Sequence, residues 1–172
     1  MLAAGTSSRA GKQKLVADFR GRPMIEYAIA AAGRWRPLVV AGAEVAAYLA
    51  GRTDVELVRN DEPQRGMSHS LALANLALPE QIPIVVLLGD KPLVSEALIA
   101  TICDAAGDAD FVYPITKGEP GHPVWLSASA RARIAVLPEG DTLRTLRDDA
   151  TLVARAVETA DPGASFDVDT ID

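Results

Sequence analysis

The sequence has 172 residues, 49% hydrophobic and 23% charged, which suits one globular domain with a continuous core and excludes a globally disordered chain. A formal net charge of −6 argues against a nucleic-acid or anionic-membrane partner, since both are recognised through clustered positive charge. Cys103 is the single cysteine, so no internal disulfide can form, and no apolar run approaches the length of a membrane span.

In chain order, Met1-Leu2-Ala3-Ala4-Gly5 lacks the charged and long apolar regions of a secretory leader, and a cytoplasmic protein is expected. Met24 to Gly33 reads as a helix with Pro23 in its first turn, and Pro37 to Gly42 as a short buried strand. Glu44 to Gly51 follows as a helix, Val55 to Arg59 as a strand and Ser68 to Leu78 as a helix capped by Ser68. Ile82 to Leu88 is the clearest strand, and Ile84 to Leu88 is expected among the most buried. Ser95 to Ala106 is a helix with Ser95 as its cap, where Cys103 reads as a structural thiol rather than a nucleophile. Then come strand Asp110 to Pro114, strand Pro123 to Leu126, helices Ser127 to Leu137 and Thr142 to Asp148, and an edge strand from Leu152 to Ala156. No repeat, low-complexity tract or linker interrupts this alternation, so residues 1–172 form one domain. Crossovers of these lengths predict a three-layer α/β/α, Rossmann-like fold with a mostly parallel central sheet. In such a fold, ligands sit beyond the carboxyl ends of the strands.

The first loop in that position is Leu2-Ala3-Ala4-Gly5-Thr6-Ser7-Ser8-Arg9-Ala10-Gly11-Lys12-Gln13-Lys14. Its small residues let backbone amides approach a ligand, while Arg9 and Lys14 supply a forked and a mobile cation. This is chemistry for polyphosphate, although neither the P-loop nor the dinucleotide glycine spacing fits, and a solvated turn would look similar.

Leu2-Ala3-Ala4-Gly5 with Ser7, Ser8, Arg9, Gly11 and Lys14 resembles the signature loop of the MobA-like NTP transferases, most of all the molybdenum cofactor cytidylyltransferases. The resemblance continues at Phe19-Arg20-Gly21-Arg22-Pro23-Met24-Ile25, Gly66-Met67-Ser68-His69-Ser70-Leu71 and Leu88-Gly89-Asp90-Lys91-Pro92-Leu93. It ends with Gly121-His122-Pro123-Val124 and Phe166-Asp167-Val168-Asp169-Thr170. The patches keep the family's order over nearly the whole chain.

Asp90 follows the strongest strand, so its carboxylate belongs at that strand's carboxyl end, where it suits Mg2+ or a simple turn. The resemblance assigns Asp90 to metal, with a second contact in the Asp-x-Asp-Thr segment, Asp169 being favoured and Asp167 close behind. It also places Leu2, Ala3, Ala4, Gly5, Gly66, Ser68, Ser70 and Gly89 around the nucleotide. His122 falls on the acceptor side, where it either binds the acceptor phosphate or packs a tight turn. His69 and His122, the only histidines, do not suggest a zinc site.

The resemblance implies an in-line transfer of CMP from CTP to a phosphorylated acceptor, molybdopterin for preference, with Arg9, Lys14 and Asp90 as catalytic residues and Mg2+ as cofactor. Ala4 stands where guanylyl-transferring relatives carry glycine, which is the basis for expecting a pyrimidine. A sibling transferase using another triphosphate or a sugar or alcohol phosphate is the alternative. A non-catalytic chaperone for molybdenum cofactor is the alternative of another class, and a molybdoenzyme or its chaperone a further partner the resemblance leaves open. The sequence departs from the family at Ala10, where methionine is usual, and at the apolar residues expected ahead of Leu2, which leaves a stub for a first strand.

Overall fold

The computed structural model describes residues 1–5 and 13–168. Its first half runs β1 (Leu2–Ala3), β2 (Asp18–Phe19), β3 (Arg22–Pro23), α1 (Ile25–Ala32), β4 (Leu38–Ala41), α2 (Ala43–Leu49), β5 (Glu56–Arg59) and α3 (Met67–Ala77). The second runs β6 (Ile84–Val86), α4 (Glu96–Asp104), β7 (Phe111–Thr116), β8 (Glu119–Pro120), β9 (Val124–Leu126), α5 (Ala128–Ile134), α6 (Leu143–Arg147) and β10 (Ala154–Glu158). The expected α/β architecture forms, with a mostly parallel central sheet and helices on both faces.

β1 joins two ladders. It pairs in parallel with β4, which pairs in parallel with β5. On its other side the Leu2 amide donates to the Leu87 carbonyl at 2.8 Å, and the Gly89 amide donates to the Leu2 carbonyl at 2.9 Å. That second ladder has the order β6, β9, β7, β10, with β10 parallel to β7 at the edge. β9 runs antiparallel to both β6 and β7, so the crossovers do not force parallel pairing everywhere.

Side chains alternate across the sheet, as the period of two requires. Val39, Leu87 and Val112 pack with α1, α2 and α4, whereas Val86, Phe111 and Leu126 pack with α3, α5 and α6. β4 is the most enclosed strand, with Val39, Val40 and Ala41 fully buried. The expectation for Ile84 to Leu88 holds for Val86 and Leu87, but Ile84 and Val85 are half-buried. They line an apolar groove of about 570 Å³ with Trp35, Leu38 and Trp125.

Local signals succeed where the partner is local. Ser95 and Ser127 cap α4 and α5 by accepting from the amides of Leu98 and Ala130, contacts commonly contributing about 1 kcal/mol each. Two expectations fail. Pro23 sits ahead of the N-cap residue Met24, in the β2–β3 hairpin, rather than in the first turn of α1. α3 begins after Gly66 without a side-chain cap, and the Ser68 hydroxyl instead accepts from the Gly140 amide at 3.0 Å. The other end of α3 is held by Arg131, buried to 1% exposure, whose guanidinium donates to the Asn75 side chain and to the carbonyls of Pro79 and Ile82. A cation among the carbonyls beyond a helix C-terminus satisfies groups that would otherwise be orphaned in the interior. Among the described residues, no helix is long and apolar enough to cross a membrane.

Candidate active site

The carboxyl ends of β1 and β6 meet at a cleft of about 510 Å³. Leu2, Ala3, Ala4 and Gly5 form one wall, Gly66, Met67 and Ser70 at the start of α3 form another, and Lys14 and Asp90 stand between them. The amides of a helix's first turn lack intrahelical partners, so the α3 wall favours polar or anionic groups. Gln13 closes the base of the signature loop, its side-chain amide donating to the Gly5 carbonyl at 3.1 Å while its oxygen accepts from the Leu15 amide. That contact fixes where the 3₁₀ turn Lys14–Val16 begins.

Lys14 Nζ donates to Asp90 Oδ2 at 3.0 Å and to the Val168 carbonyl at 3.2 Å. Both side chains of the pair are 30% exposed, so the cation and the carboxylate still meet solvent in the cleft. A second pair lies beside it. Lys91 is 5% exposed, and its Nζ reaches Asp167 Oδ1 at 2.7 Å and the Ser165 carbonyl at 3.3 Å. The two lysines thus hold the last described segment against the loop after β6.

That segment is seated by close backbone approach. The 3₁₀ turn Pro162–Ala164 lies between Leu93 and Gly121, and the Ala164 carbonyl accepts from the His122 amide at 3.0 Å. A methyl group on Gly121 would fall 2.2 Å from the Ala164 carbonyl oxygen, and one on Gly163 would fall 2.3 Å from that of Leu93. Glycine is required at both places for lack of room. The His122–Pro123 peptide is cis, and the His122 Nε2 is fully buried with no hydrogen-bond partner among the described residues. Burial pushes the imidazole down to about 4, the positive charge of Lys91 adds to this, and Asp167 and Asp90 oppose it. His122 is therefore neutral at pH 7.

The structure brings Leu2, Ala3, Ala4, Gly5, Lys14, Gly66, Ser70 and Asp90 to one cleft. Ser68 and Gly89 lie behind its walls, Ser68 tied to Gly140 and Gly89 within 3.4 Å of Leu2 and Ala3 as measured from an added methyl group. Asp167 is paired with Lys91, while Arg9 and Asp169 lie outside the described residues. Cys103 is half-buried on α4, and desolvation first, then the Asp104 charge, raises its thiol pKa, which disfavours the thiolate. Lys91 and Asn60 are the site residues that sequence reasoning missed. Asn60, 1% exposed, donates to the Ser70 hydroxyl at 3.0 Å and so orients a cleft-lining group. Lys91 lies in the turn after β6, where no periodicity signals its burial.

The MobA-like NTP transferase domain matches residues 1–161. The chain belongs to that family. Among solved structures it is similar to Rv0371c from Mycobacterium tuberculosis H37Rv, at 28% identity and a TM-score of 0.77, over 98% of this chain and 90% of that one. It is also similar to a nucleotidyl transferase from Methanothermobacter thermautotrophicus, at 27% identity and a TM-score of 0.75, over 94% and 86% of the two chains. The bifunctional protein GlmU of Burkholderia ambifaria is 32% identical over 128 residues, covering 70% of this chain but 28% of that protein. The chain thus spans about a quarter of the length of the curated relatives it matches. The family is one of NTP transferases, and one of the similar solved structures is a nucleotidyl transferase.

Proposed function

We propose that this protein transfers CMP from CTP to the phosphate of a molybdopterin-type acceptor and releases pyrophosphate, with Mg2+ as its cofactor. The observation that carries the reading is the Lys14–Asp90 pair at the head of a cleft walled by Leu2 to Gly5 and the start of α3. A hard cation of this kind needs one or two carboxylates and completes its shell with water and phosphate oxygens. Asp90 fits it as the carboxylate at the cleft, with no larger cluster of His, Cys, Asp and Glu gathered among the described residues. Asp169 is proposed as the second ligand. Asp167, the other candidate, is engaged by Lys91. The ion, when bound, supplies neutralisation of charge on the triphosphate.

The chain's own groups supply position and charge. Lys14 exchanges Asp90 for phosphate oxygens as the nucleotide enters, and together with Arg9 it takes up charge on the leaving pyrophosphate. An acceptor phosphate is already an anion, so its attack on the α-phosphate needs no general base, and a neutral His122 is consistent with that. Ala4, 5% exposed in the cleft wall, narrows the space for the base.

Pyrophosphate release from CTP, GTP, ATP and UTP, each with Mg2+ and molybdopterin, tests the reading. CTP is expected to lead, and a flat response across nucleotides would overturn the cytidylyl assignment. Replacing Ala4 with glycine is expected to narrow the CTP-over-GTP preference by about tenfold, the scale of one methyl group in a pocket. Calorimetric titration of both nucleotides measures it. The likeness to GlmU favours one second reading, a sibling transferase with another phosphorylated acceptor, which the same screen separates when a sugar phosphate replaces molybdopterin.

A further inference from the structure

The β2–β3 hairpin stands apart in its charges. Phe19 pairs with Arg22, so its loop is Arg20-Gly21 alone, with positive φ of 54° and 94° at the two residues. The turn is fastened from two sides. Asp18 Oδ1 accepts from the Gly21 amide at 3.2 Å, and the Tyr27 hydroxyl donates to the Phe19 carbonyl at 2.7 Å, with the Arg20 carbonyl 3.3 Å away. Phe19 and Tyr27 themselves pack edge to face, 5.6 Å between centroids. The Arg22 guanidinium lies 3.7 Å from the Tyr27 ring centroid, and the Arg20 guanidinium 5.4 Å from that of Phe19.

Every other arginine among the described residues has a carboxylate within 4.0 Å, apart from Arg131, which is buried among carbonyls. Arg20 and Arg22 have none. On a chain of net charge −6, this leaves two exposed cations two residues apart, with Asp18 the only acidic residue in the hairpin. A ring against the flat of a guanidinium holds it without using its in-plane N–H donors, which stay open to carboxylate oxygens. Lys117-Gly118 repeats the backbone, with φ of 53° and 82°, and Lys117 also lacks an ion pair, but no ring lies under it among the described residues. Held guanidiniums, rather than turn type or bare charge, therefore set the hairpin apart. Its tip is also open, since a methyl group on Gly21 would meet no atom within 4 Å. Small ligands need concave walls, whereas a projecting tip suits the surface of another macromolecule.

We propose that Arg20 and Arg22 form a docking point for an acidic segment of a partner protein, each guanidinium taking one glutamate or aspartate side chain. The net negative charge of the chain repels long polyanions such as nucleic acid, so a short acidic run on a protein surface is the occupant that the charge pattern fits. Exposed ion pairs are weak, and such a contact sets orientation and association rate more than affinity. Residues 18–22 do not line the nucleotide cleft, and the proposal does not depend on nucleotidyl transfer.

Fluorescein-labelled octaglutamate is the probe, read by fluorescence polarisation on the whole chain, with octalysine and a single-stranded oligonucleotide of eight thymidines as comparisons. Octaglutamate is expected to bind, to weaken several-fold between about 20 and about 150 mM salt, and to move the Arg20 and Arg22 Nε–Hε signals in nitrogen-15 spectra. Arg22→Gln is expected to weaken binding by about fivefold and Arg20→Asn/Arg22→Gln by about 20-fold, the scale of one and two exposed ion pairs. Arg22→Lys should recover part of the loss, since lysine keeps the charge without the fork. Asparagine suits the left-handed backbone at position 20, so the double variant should keep its thermal midpoint and its pyrophosphate release. Lys117→Gln should bind octaglutamate as wild type does. Equal binding by wild type and the double variant would overturn the docking point, as would an equal loss in Lys117→Gln or equal binding of octalysine. Tighter, arginine-dependent binding of the oligonucleotide would overturn the assignment to a protein partner.

Discussion

Two lysine–aspartate pairs sit one residue apart in the chain and behave as opposites. Lys14 and Asp90 are each 30% exposed and face the cleft. Lys91 is 7% exposed in its side chain while its partner Asp167 is 48% exposed, and the pair holds the segment after Pro162–Ala164 against the loop after β6. The exposed pair can exchange partners at small desolvation cost, which a binding site needs. The buried cation cannot be released without stranding a charge. On the proposed reading, adjacent residues, Asp90 and Lys91, thus serve binding and architecture separately.

The sharpest way to break the comparison is at Asp90. Asp90→Asn is expected to keep the thermal midpoint near wild type and to lose on the order of 100-fold or more in metal-dependent pyrophosphate release. Normal turnover would make this pair as architectural as its neighbour.

His122 feels the charges of Lys91, Asp167 and Asp90 and gives the next effect. Its folded pKa of about 4 is below the unfolded value of 6.5, so between these the unfolded chain binds the extra proton. Stability should therefore be complete above pH 6.5 and fall as the pH drops to 4, by about 3 kcal/mol for this one group. Denaturant midpoints at pH 7.5, 5.5 and 4 for wild type and His122→Gln isolate the histidine, the variant being flatter by that amount; parallel profiles would refute it.

Asp167→Asn should cost about 2–3 kcal/mol, less than a fully buried pair would because half of this carboxylate meets water. Lys91→Met should cost less than Asp167→Asn, since it removes the buried charge instead of stranding it. Combining Lys91→Met with Asp167→Asn should regain much of the loss, and urea unfolding reads all three. Equal costs for the two single variants would remove the asymmetry.

What the sequence disclosed was local. The helix capped by Ser95 and the buried run at Val39 to Ala41 follow from caps and periodicity, whereas the clustering of Leu2–Gly5, Lys14, Gly66, Ser70 and Asp90 is what the family resemblance implies. What it concealed depends on distant partners. Ser68 has the composition of a cap, but its partner is Gly140; Lys91 and Arg131 look like solvated charges until Asp167 and the end of α3 surround them. The antiparallel course of β9 is likewise invisible to periodicity, because alternation is the same in either direction.

Leu2 is hydrogen-bonded on one side to a ladder some forty residues away and on the other to one nearly ninety away, through Leu87 and Gly89. Contacts so distant in sequence carry a large loop-closure cost and form late. Each ladder also pairs strands within itself, but the cleft has Ala3 and Ala4 on one side of this seam and Asp90 on the other. On the proposed reading, a chain with either ladder alone has no place for the triphosphate. On that reading, ligand binding is therefore tied to the joining of the two ladders, and nucleotide stabilises only the joined molecule, by an amount that rises with the logarithm of its concentration.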